Sequence, residues 1–289
     1  MSGIRPMSFG EILDGSLTLY RRNFGVFLRL AIVSLIVPVL LIGYFVVFML
    51  DTAMMAFMMM MIDWKLIGLG ILIVVTYIIG TLMLTAGTIR VVSDSYLDRP
   101  TRFGQAIGLG LSKIWPLFVV GLGKGILLGL LSAVVGVALA VGGPMLTGAG
   151  TVGTLVLVAG GVMGAWLCIW VAAAYGVTTP VVVLESLKGA FDAFGRSWGL
   201  TRGSRGRVVG LFVVATLLFS VVPQLLVALI GAALTKVSTP VGGSLIILSY
   251  ALPIIFYQAI SCVVTLMYYD LRVRREAFDL QMLSKQLGG

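Results

Sequence analysis

Apolar side chains run along this chain in six long blocks without the two-residue alternation of a half-buried strand. About 20 helical residues suffice to cross a hydrocarbon layer of ~30 Å. Because lipid cannot pair with the backbone groups of an open sheet edge, helices are the expected structure. The pattern predicts an all-α, polytopic membrane protein with six transmembrane helices. The blocks cover residues 26–50, 66–89, 117–141, 152–177, 208–234 and 241–268.

The composition agrees with this interpretation. Hydrophobic residues make up 60% of the 289-residue chain and charged residues 11%, whereas a soluble domain carries about 25% charged residues. A water-soluble core of this length could not cover so much apolar surface. We therefore expect residues 1–289 to form a single integral membrane domain.

A short amphipathic segment precedes the first block. Ser8 and Glu11 have the S-x-x-E spacing of a capping box, which marks a helix start. In the residues that follow, apolar and polar side chains fall on opposite helical faces. Such a helix is typical of the membrane interface, and a soluble lead-in to the first span is the alternative. No cleavable signal peptide is expected in the first 25 residues.

Segments led by phenylalanine recur along the chain. They begin at Phe9, Phe103, Phe191 and Phe278, at intervals of 94, 88 and 87 residues, and each of the first three precedes two apolar blocks. We predict three repeats of an interfacial amphipathic helix followed by a transmembrane hairpin. The repeats cover approximately 8–92, 101–178 and 189–268, and a C-terminal cytoplasmic helix follows at 270–285.

The basic residues fall almost entirely on one side of the predicted spans. Seventeen of the 20 Lys and Arg residues lie in the N-terminal region as far as Arg29, in the second and fourth connections, or after the last block. Lys65 and Lys236 lie on the other side, and Lys124 lies inside a block. By the positive-inside rule, both termini are cytoplasmic. The net charge of +9 therefore indicates anionic membrane lipid as a partner, and not nucleic acid.

Three stretches carry a resemblance to a known family. The chain resembles the bacterial membrane-domain family named after glycerophosphoryl diester phosphodiesterases, over essentially its whole length. The resemblance implies a multi-pass protein of the bacterial cytoplasmic (inner) membrane. It does not imply the hydrolase activity, because the catalytic barrel in such proteins is a separate soluble domain. The stretches are FGEILDGSLTLYRRNFGVFLRL at 9–30, PVVVLESLKGAFDAFGRSWGLTRGSRGRVVGLF at 180–212 and MYYDLRVRREAFDLQML at 267–283.

Enzymatic chemistry is not expected of this chain. It contains no His, so neither a phosphodiesterase site nor a Ser-His or Cys-His pair can be assembled. Cys168 and Cys262 are single cysteines in apolar blocks, where thiols behave as small hydrophobes. The usual combination of zinc ligands and the phosphate-cradling P-loop sequence are both missing. We therefore predict a non-enzymatic protein with no metal and no cofactor.

The fourth connection contains the best candidate for a binding site. Four arginines there surround a tryptophan, and the forked guanidinium group suits phosphate while tryptophan anchors at headgroup depth. The alternative is a generic topology signal in contact with bulk lipid. The hypothesis assigns lipid headgroup binding to Arg196, Trp198, Arg202, Arg205 and Arg207.

Lys124 is a second candidate, because it lies about seven residues inside the third block, where a charge is costly and often functional. Its flexible stem could instead carry the ammonium group to the cytoplasmic interface. If it pairs with a carboxylate, the possible partners are Glu185, Asp192 and Asp270.

Glycines in the third and fourth blocks have the G-x-x-x-G spacing that lets helices approach closely. The spacing predicts tight packing between spans three and four, and a homodimer seam is the alternative. The glycines are Gly121, Gly125 and Gly129 in the third block and Gly160 and Gly164 in the fourth.

Together these features favour a non-enzymatic integral membrane protein that associates with anionic lipid. It would organise lipid or a partner complex at the cytoplasmic leaflet. One alternative is a transporter or flippase-like component for a lipid-derived or small anionic solute, which would need a polar-lined cavity. Another is an accessory subunit of a larger membrane complex, as a homo-oligomer or with a partner membrane subunit.

Overall fold

Helices form throughout the apolar parts of the chain that the structure describes. The computed structural model describes residues 5–49, 52, 54–55, 59, 63–100, 102–148, 150–234 and 239–276. Every regular element in these residues is a helix, and none is a strand. A chain surrounded by lipid must satisfy its backbone groups within each segment, and helices do so. The predicted all-α fold class is confirmed.

The N-terminal part of the chain alternates short and long helices. Two short helices begin at Phe9 and Phe103, the starts expected from the sequence, and each directly precedes a long helix. The second helix ends in a single π-helical turn at Phe45–Met49. The bounds are α1 Phe9–Arg22, α2 Phe24–Tyr44, α3 Trp64–Tyr96 and α4 Phe103–Ser112.

Two of the later helical stretches are interrupted near prolines. The short helix α7 contains Pro180 and follows α6 after a break, and a π-helical turn at Leu217–Val221 comes just before Pro223. Proline removes a backbone donor and is a usual cause of such irregularities. The bounds are α5 Ile114–Thr147, α6 Gly150–Ala174, α7 Thr178–Leu184, α8 Asp192–Thr201, α9 Arg205–Thr216, α10 Val222–Leu234 and α11 Thr239–Glu276.

Five of the described helical stretches are long and apolar enough to cross a membrane, as expected for a multi-pass membrane protein. The sixth predicted block lies within α11, which runs unbroken to Glu276. The predicted C-terminal helix 270–285 is therefore not separate at its start, and 277–285 lie outside the described residues. The five stretches are Phe24–Met49, Trp64–Tyr96, Ile114–Thr147, Gly150–Leu184 and Arg205–Ile230.

The predicted capping box at the start of α1 is confirmed. The Ser8 amide donates to Glu11 Oε2 over 2.6 Å, and the Glu11 amide donates to Ser8 Oγ over 3.3 Å. The backbone bond from Ser8, followed by the bond from the Arg5 side chain, lowers the pKa of Glu11 to about 2. These bonds fix where α1 begins.

One stripe of α1 is buried by protein. Ile12, Ser16 and Tyr20 follow each other at helical spacing and are all buried. Tyr20 also stacks on Phe27, with 5.6 Å between ring centroids. The predicted apolar face of α1 therefore packs on the chain along this stripe.

The chain divides into two compact units. Unit 1 comprises Met1–Gly15, Trp115–Leu218 and Val263–Gly289, and unit 2 comprises Ser16–Ile114 and Phe219–Cys262. In unit 2, helices α2 and α3 approach so closely at Gly80 that a Cβ there would overlap the Ser34 carbonyl. Small residues allow this contact between lipid-embedded helices.

Polar side chains join the helices of unit 2. Asn23 Nδ2 donates to Ser95 Oγ over 3.0 Å, and Gln258 Nε2 donates to the Phe27 carbonyl over 3.1 Å. Such interhelical bonds are worth about 0.6 kcal/mol each within a membrane. Gln258 is 2% exposed, so this side chain links two helices and does not face an open cavity.

In unit 1, the consecutive helices α5 and α6 meet at Gly164, where a Cβ would overlap Val135. Little of either span is buried within the protein. Beyond these two helices, Ser197 Oγ and Thr201 Oγ1 of α8 donate to the Ala174 carbonyl at the end of α6, over 2.8 and 3.2 Å. These bonds satisfy an orphan carbonyl and fix α8 against α6.

Candidate functional site

A tight turn brings the arginine block into position. Helix α8 ends at Thr201 and α9 begins at Arg205, and Gly203 between them has φ +80°. Only glycine adopts that conformation without strain. A Cβ there would also lie 2.8 Å from Arg275 Nη2. The turn therefore depends on a residue that sequence reasoning did not single out.

Arg205 lies between two indole rings. Its Cζ is 3.9 Å from the ring centroid of Trp198 and 5.0 Å from that of Trp170. The side chain is 8% exposed, and its Nε is buried without a hydrogen-bond partner among the described residues. Stacking uses the flat faces of a guanidinium group, whereas its N–H donors lie in the plane. The donor edge of Arg205 is thus left for another acceptor.

Arg202 lies in the same turn and is exposed. In the part of the chain that the structure describes, no carboxylate forms an ion pair with either Arg202 or Arg205. Two cations close in sequence are therefore uncompensated by protein, which is the electrostatic condition for binding an anion.

Arg196 has a different environment. Its Nε donates to Glu185 Oε2 over 2.8 Å, and its Nη1 pairs with Glu276. The bonds to Glu276 and Glu185 raise the pKa of Arg196. Burial raises the pKa of Glu276, but the bonds from Arg196 and Arg272 outweigh it and lower that pKa below its usual range. Arg196 therefore joins α7, α8 and α11 and is not open to a ligand.

Arg207 is also held by the protein. It forms an ion pair of 3.2 Å with Asp270, which is fully buried, and donates to the Met7 carbonyl over 2.6 Å. Arg274 Nε lies 3.0 Å from the same carboxylate, and the Met7 amide donates to Asp270 Oδ1 over 2.8 Å. This cluster ties the segment before α1 to α9 and α11.

The five residues predicted to bind a lipid headgroup thus have different environments in the structure. Trp198 and Arg205 are in direct contact, Arg202 is exposed beside them, and Arg196 and Arg207 are bound to carboxylates. Sequence reasoning missed Trp170, since it lies in an apolar block 35 positions before Arg205 and no local spacing connects them. Its place near the end of a predicted span was the available signal.

A shallow apolar groove lies on α9 beyond Arg205. It has a volume of about 260 Å³ and is lined by Phe212, Val213, Thr216 and Leu217. Phe212 and Thr216 follow Arg205 by 7 and 11 positions and so share its side of the helix. A rise of 1.5 Å per residue puts the groove roughly 10 Å further into the span. A shallow apolar groove thus lies on the same side of α9 as Arg205, about two turns away.

Lys124 is not paired with any of its three possible partners. Glu185 binds Arg196, Asp192 Oδ2 accepts from the Gly189 amide over 2.9 Å, and Asp270 binds Arg207 and Arg274. No ion pair or hydrogen bond involves the Lys124 ammonium group within the described residues. A carboxylate pairing therefore has no support in the structure.

The predicted glycine contacts differ between the two spans. Around Gly121, Gly125 and Gly129 no atom lies within 4 Å of where a Cβ would stand, so the tight packing expected there is not seen. Gly164 does meet α5, at Val135, and a Cβ at Gly160 would lie 3.9 Å from Leu139. The spacing identifies a smooth face, but no other helix approaches it closely at these three glycines.

No group of three or more His, Cys, Asp or Glu side chains in the described residues could hold a metal ion. No protein-family model matches the chain, and neither a curated protein nor a solved structure is significantly similar to it. The resemblance to the phosphodiesterase-named membrane family stays a prediction.

Proposed function

We propose that this chain is a non-enzymatic integral membrane protein that binds anionic phospholipid at the cytoplasmic leaflet and organises lipid or a partner complex there. The proposal is carried by the environment of Arg205. This residue is stacked between Trp198 and Trp170 and has no carboxylate partner among the described residues. A phosphodiester is the anion that this leaflet offers in quantity.

Stacking makes Arg205 a strong phosphate donor for a physical reason. The indole rings fix the guanidinium plane, so less side-chain entropy is lost when its N–H edge meets phosphate oxygens. Hydrogen bonds to charged groups are worth about 1.5–3 kcal/mol, more than neutral ones. Arg202, exposed in the same turn, adds a second cation at the headgroup.

The groove on α9 supports a lipid over a free anion. Its four lining residues, 212, 213, 216 and 217, are mainly apolar and begin about two turns into the span from Arg205. An acyl chain attached to a phosphate at Arg205 would lie along this surface. A free phosphate would gain nothing from the groove.

The proposed topology has six spans in three hairpin repeats, each preceded by an interfacial helix, in the bacterial cytoplasmic membrane. Both termini are inside, because 17 of 20 basic residues fall on that side. Transport and a subunit role in a larger complex have no observation of their own among the described residues. The buried Gln258, which would line a cavity in a transporter, instead bonds to a neighbouring helix.

Titration of the purified protein with phosphatidylglycerol, followed by native mass spectrometry, tests the proposal. Arg205→Gln should weaken binding about tenfold, the loss of one charge-assisted contact. Arg22→Gln is the matched control, because Arg22 is an exposed cation in the last turn of α1. Equal phosphatidylglycerol affinity in the two variants would contradict the proposal.

A further inference from the structure

Lys124 places a positive charge in a span that has little contact with the rest of the protein. It lies within α5, and the apolar window of this span is not buried inside the protein. No carboxylate of the described residues pairs with it, and the three acids that could have done so bind elsewhere. An ammonium group at such a position needs a counterion. Lipid phosphate is the anion within reach of its flexible stem.

Helix α8 brings the same aromatic surface to Lys124 and to Arg205. A Cβ on Gly123, the residue before Lys124, would lie 3.2 Å from the ring of Phe194. The ring of Phe194 contacts the ring of Tyr175 edge to face, with 5.3 Å between ring centroids. The ring centroids of Tyr175 and Trp198 are 6.0 Å apart. The Trp198 ring in turn contacts the guanidinium group of Arg205, whose Cζ is 3.9 Å from the ring centroid.

These ring contacts also fix the depth of Lys124. Helix α8 is proposed to lie at the membrane interface, and its Phe194 ring touches α5 at Gly123. Lys124 is therefore level with the interfacial helix and needs only a short extension to reach headgroup phosphate. Lys124 and Arg205 are therefore two cations that border the same aromatic surface.

We propose that Lys124 and Arg205 bind the two phosphates of one phospholipid that carries two phosphodiester groups. The inference rests on the proposed function, because it extends the Arg205 site to a second cation. Two cations without a carboxylate partner among the described residues border one aromatic surface, so a lipid with two phosphates joined by a short linker has a cation for each phosphate. Binding both within one molecule makes the second contact intramolecular and raises affinity well above that of either contact alone.

The experiment compares two lipids, phosphatidylglycerol with one phosphate and diphosphatidylglycerol with two. Purified wild-type protein, Lys124→Gln, Arg205→Gln and the Arg22→Gln control are titrated with each lipid, and bound lipid is counted by native mass spectrometry. The wild type should bind the two-phosphate lipid at least about tenfold more tightly. Either Lys124→Gln or Arg205→Gln should remove this preference, while the control keeps it.

The outcomes separate this inference from the function on which it rests. If Arg205→Gln weakens both lipids but Lys124→Gln keeps the wild-type preference, the two-phosphate inference is wrong and the lipid site stands. If Arg205→Gln matches the control for both lipids, the lipid site itself is wrong. The single-ligand inference would also be overturned if the wild type bound two phosphatidylglycerol molecules and Lys124→Gln and Arg205→Gln each removed one of them independently. Lys124→Gln removes an unpaired charge from a span, so loss of folding is not expected.

Discussion

Carboxylates decide which arginines of this protein are open to a ligand. Glu185 and Glu276 hold Arg196, and buried Asp270 holds Arg207. A guanidinium group already paired inside the protein gains little from a phosphate, since it would first have to give up that pair. Arg205 is different, because its partners are rings that leave its N–H edge open.

Asp270 provides a test at this scale. Asp270→Asn should lower the free energy of unfolding by about 3 kcal/mol, because Arg207 and Arg274 lose their shared buried counterion. Thermal unfolding in detergent measures the change. Asp14→Asn, at an exposed position, is the control and should be nearly neutral. A melting temperature for Asp270→Asn equal to that of the control would contradict the account of this cluster.

Which arginines are paired could not be predicted from the sequence. Asp270 lies 63 positions from Arg207, and Met7 lies 200 positions from it. Local patterns describe one helix or one turn at a time, whereas these contacts require the fold. The block containing Trp198 and Arg205 could be predicted, since its aromatic and basic residues are close in sequence.

At the scale of helices, close approach depends on which face another helix covers. The G-x-x-x-G stripe of α5 meets no atom within 4 Å, whereas Gly80 of α3, outside any such motif, meets the Ser34 backbone. A small-residue pattern shows that a helix can be approached. It does not show whether another helix approaches there, so the packing predicted at the α5 glycines was not found and the contact at Gly80 was not predicted.

Gly80 and Gly70 make a matched pair within α3. A Cβ at Gly80 would overlap a backbone carbonyl that cannot turn aside, while at Gly70 nothing lies within 4 Å. Gly80→Ala should therefore destabilise the protein by about 1–3 kcal/mol, as overpacking does. Gly70→Ala should be neutral. Thermal unfolding of the two variants under identical conditions measures the difference, and equal melting temperatures would exclude tight α2–α3 packing at Gly80.

At the scale of the whole molecule, hydropathy predicted the helices because lipid permits few other structures. Five predicted blocks correspond to long apolar helices. Orientation depends on the distribution of Lys and Arg, and chemical labelling from one side of the membrane measures it.

Single cysteines at the two ends of α3 provide that measurement. Lys65 and Arg99 are exposed and flank the span on opposite sides. In a chain with Cys168→Ala and Cys262→Ala, a membrane-impermeant maleimide should label Lys65→Cys in intact cells. Arg99→Cys should react only after lysis. The reverse pattern would invert the proposed topology and move the Arg205 site to the outer leaflet.

The most direct test of the lipid site is to identify what the protein carries out of its own membrane. Native mass spectrometry after gentle extraction should show an anionic phospholipid retained by the wild type and by Arg22→Gln. The same lipid should be lost from the variant with both Arg202→Gln and Arg205→Gln, because both uncompensated cations are removed. Equal retention in all three proteins, or bulk lipid only in the wild type, would contradict the account.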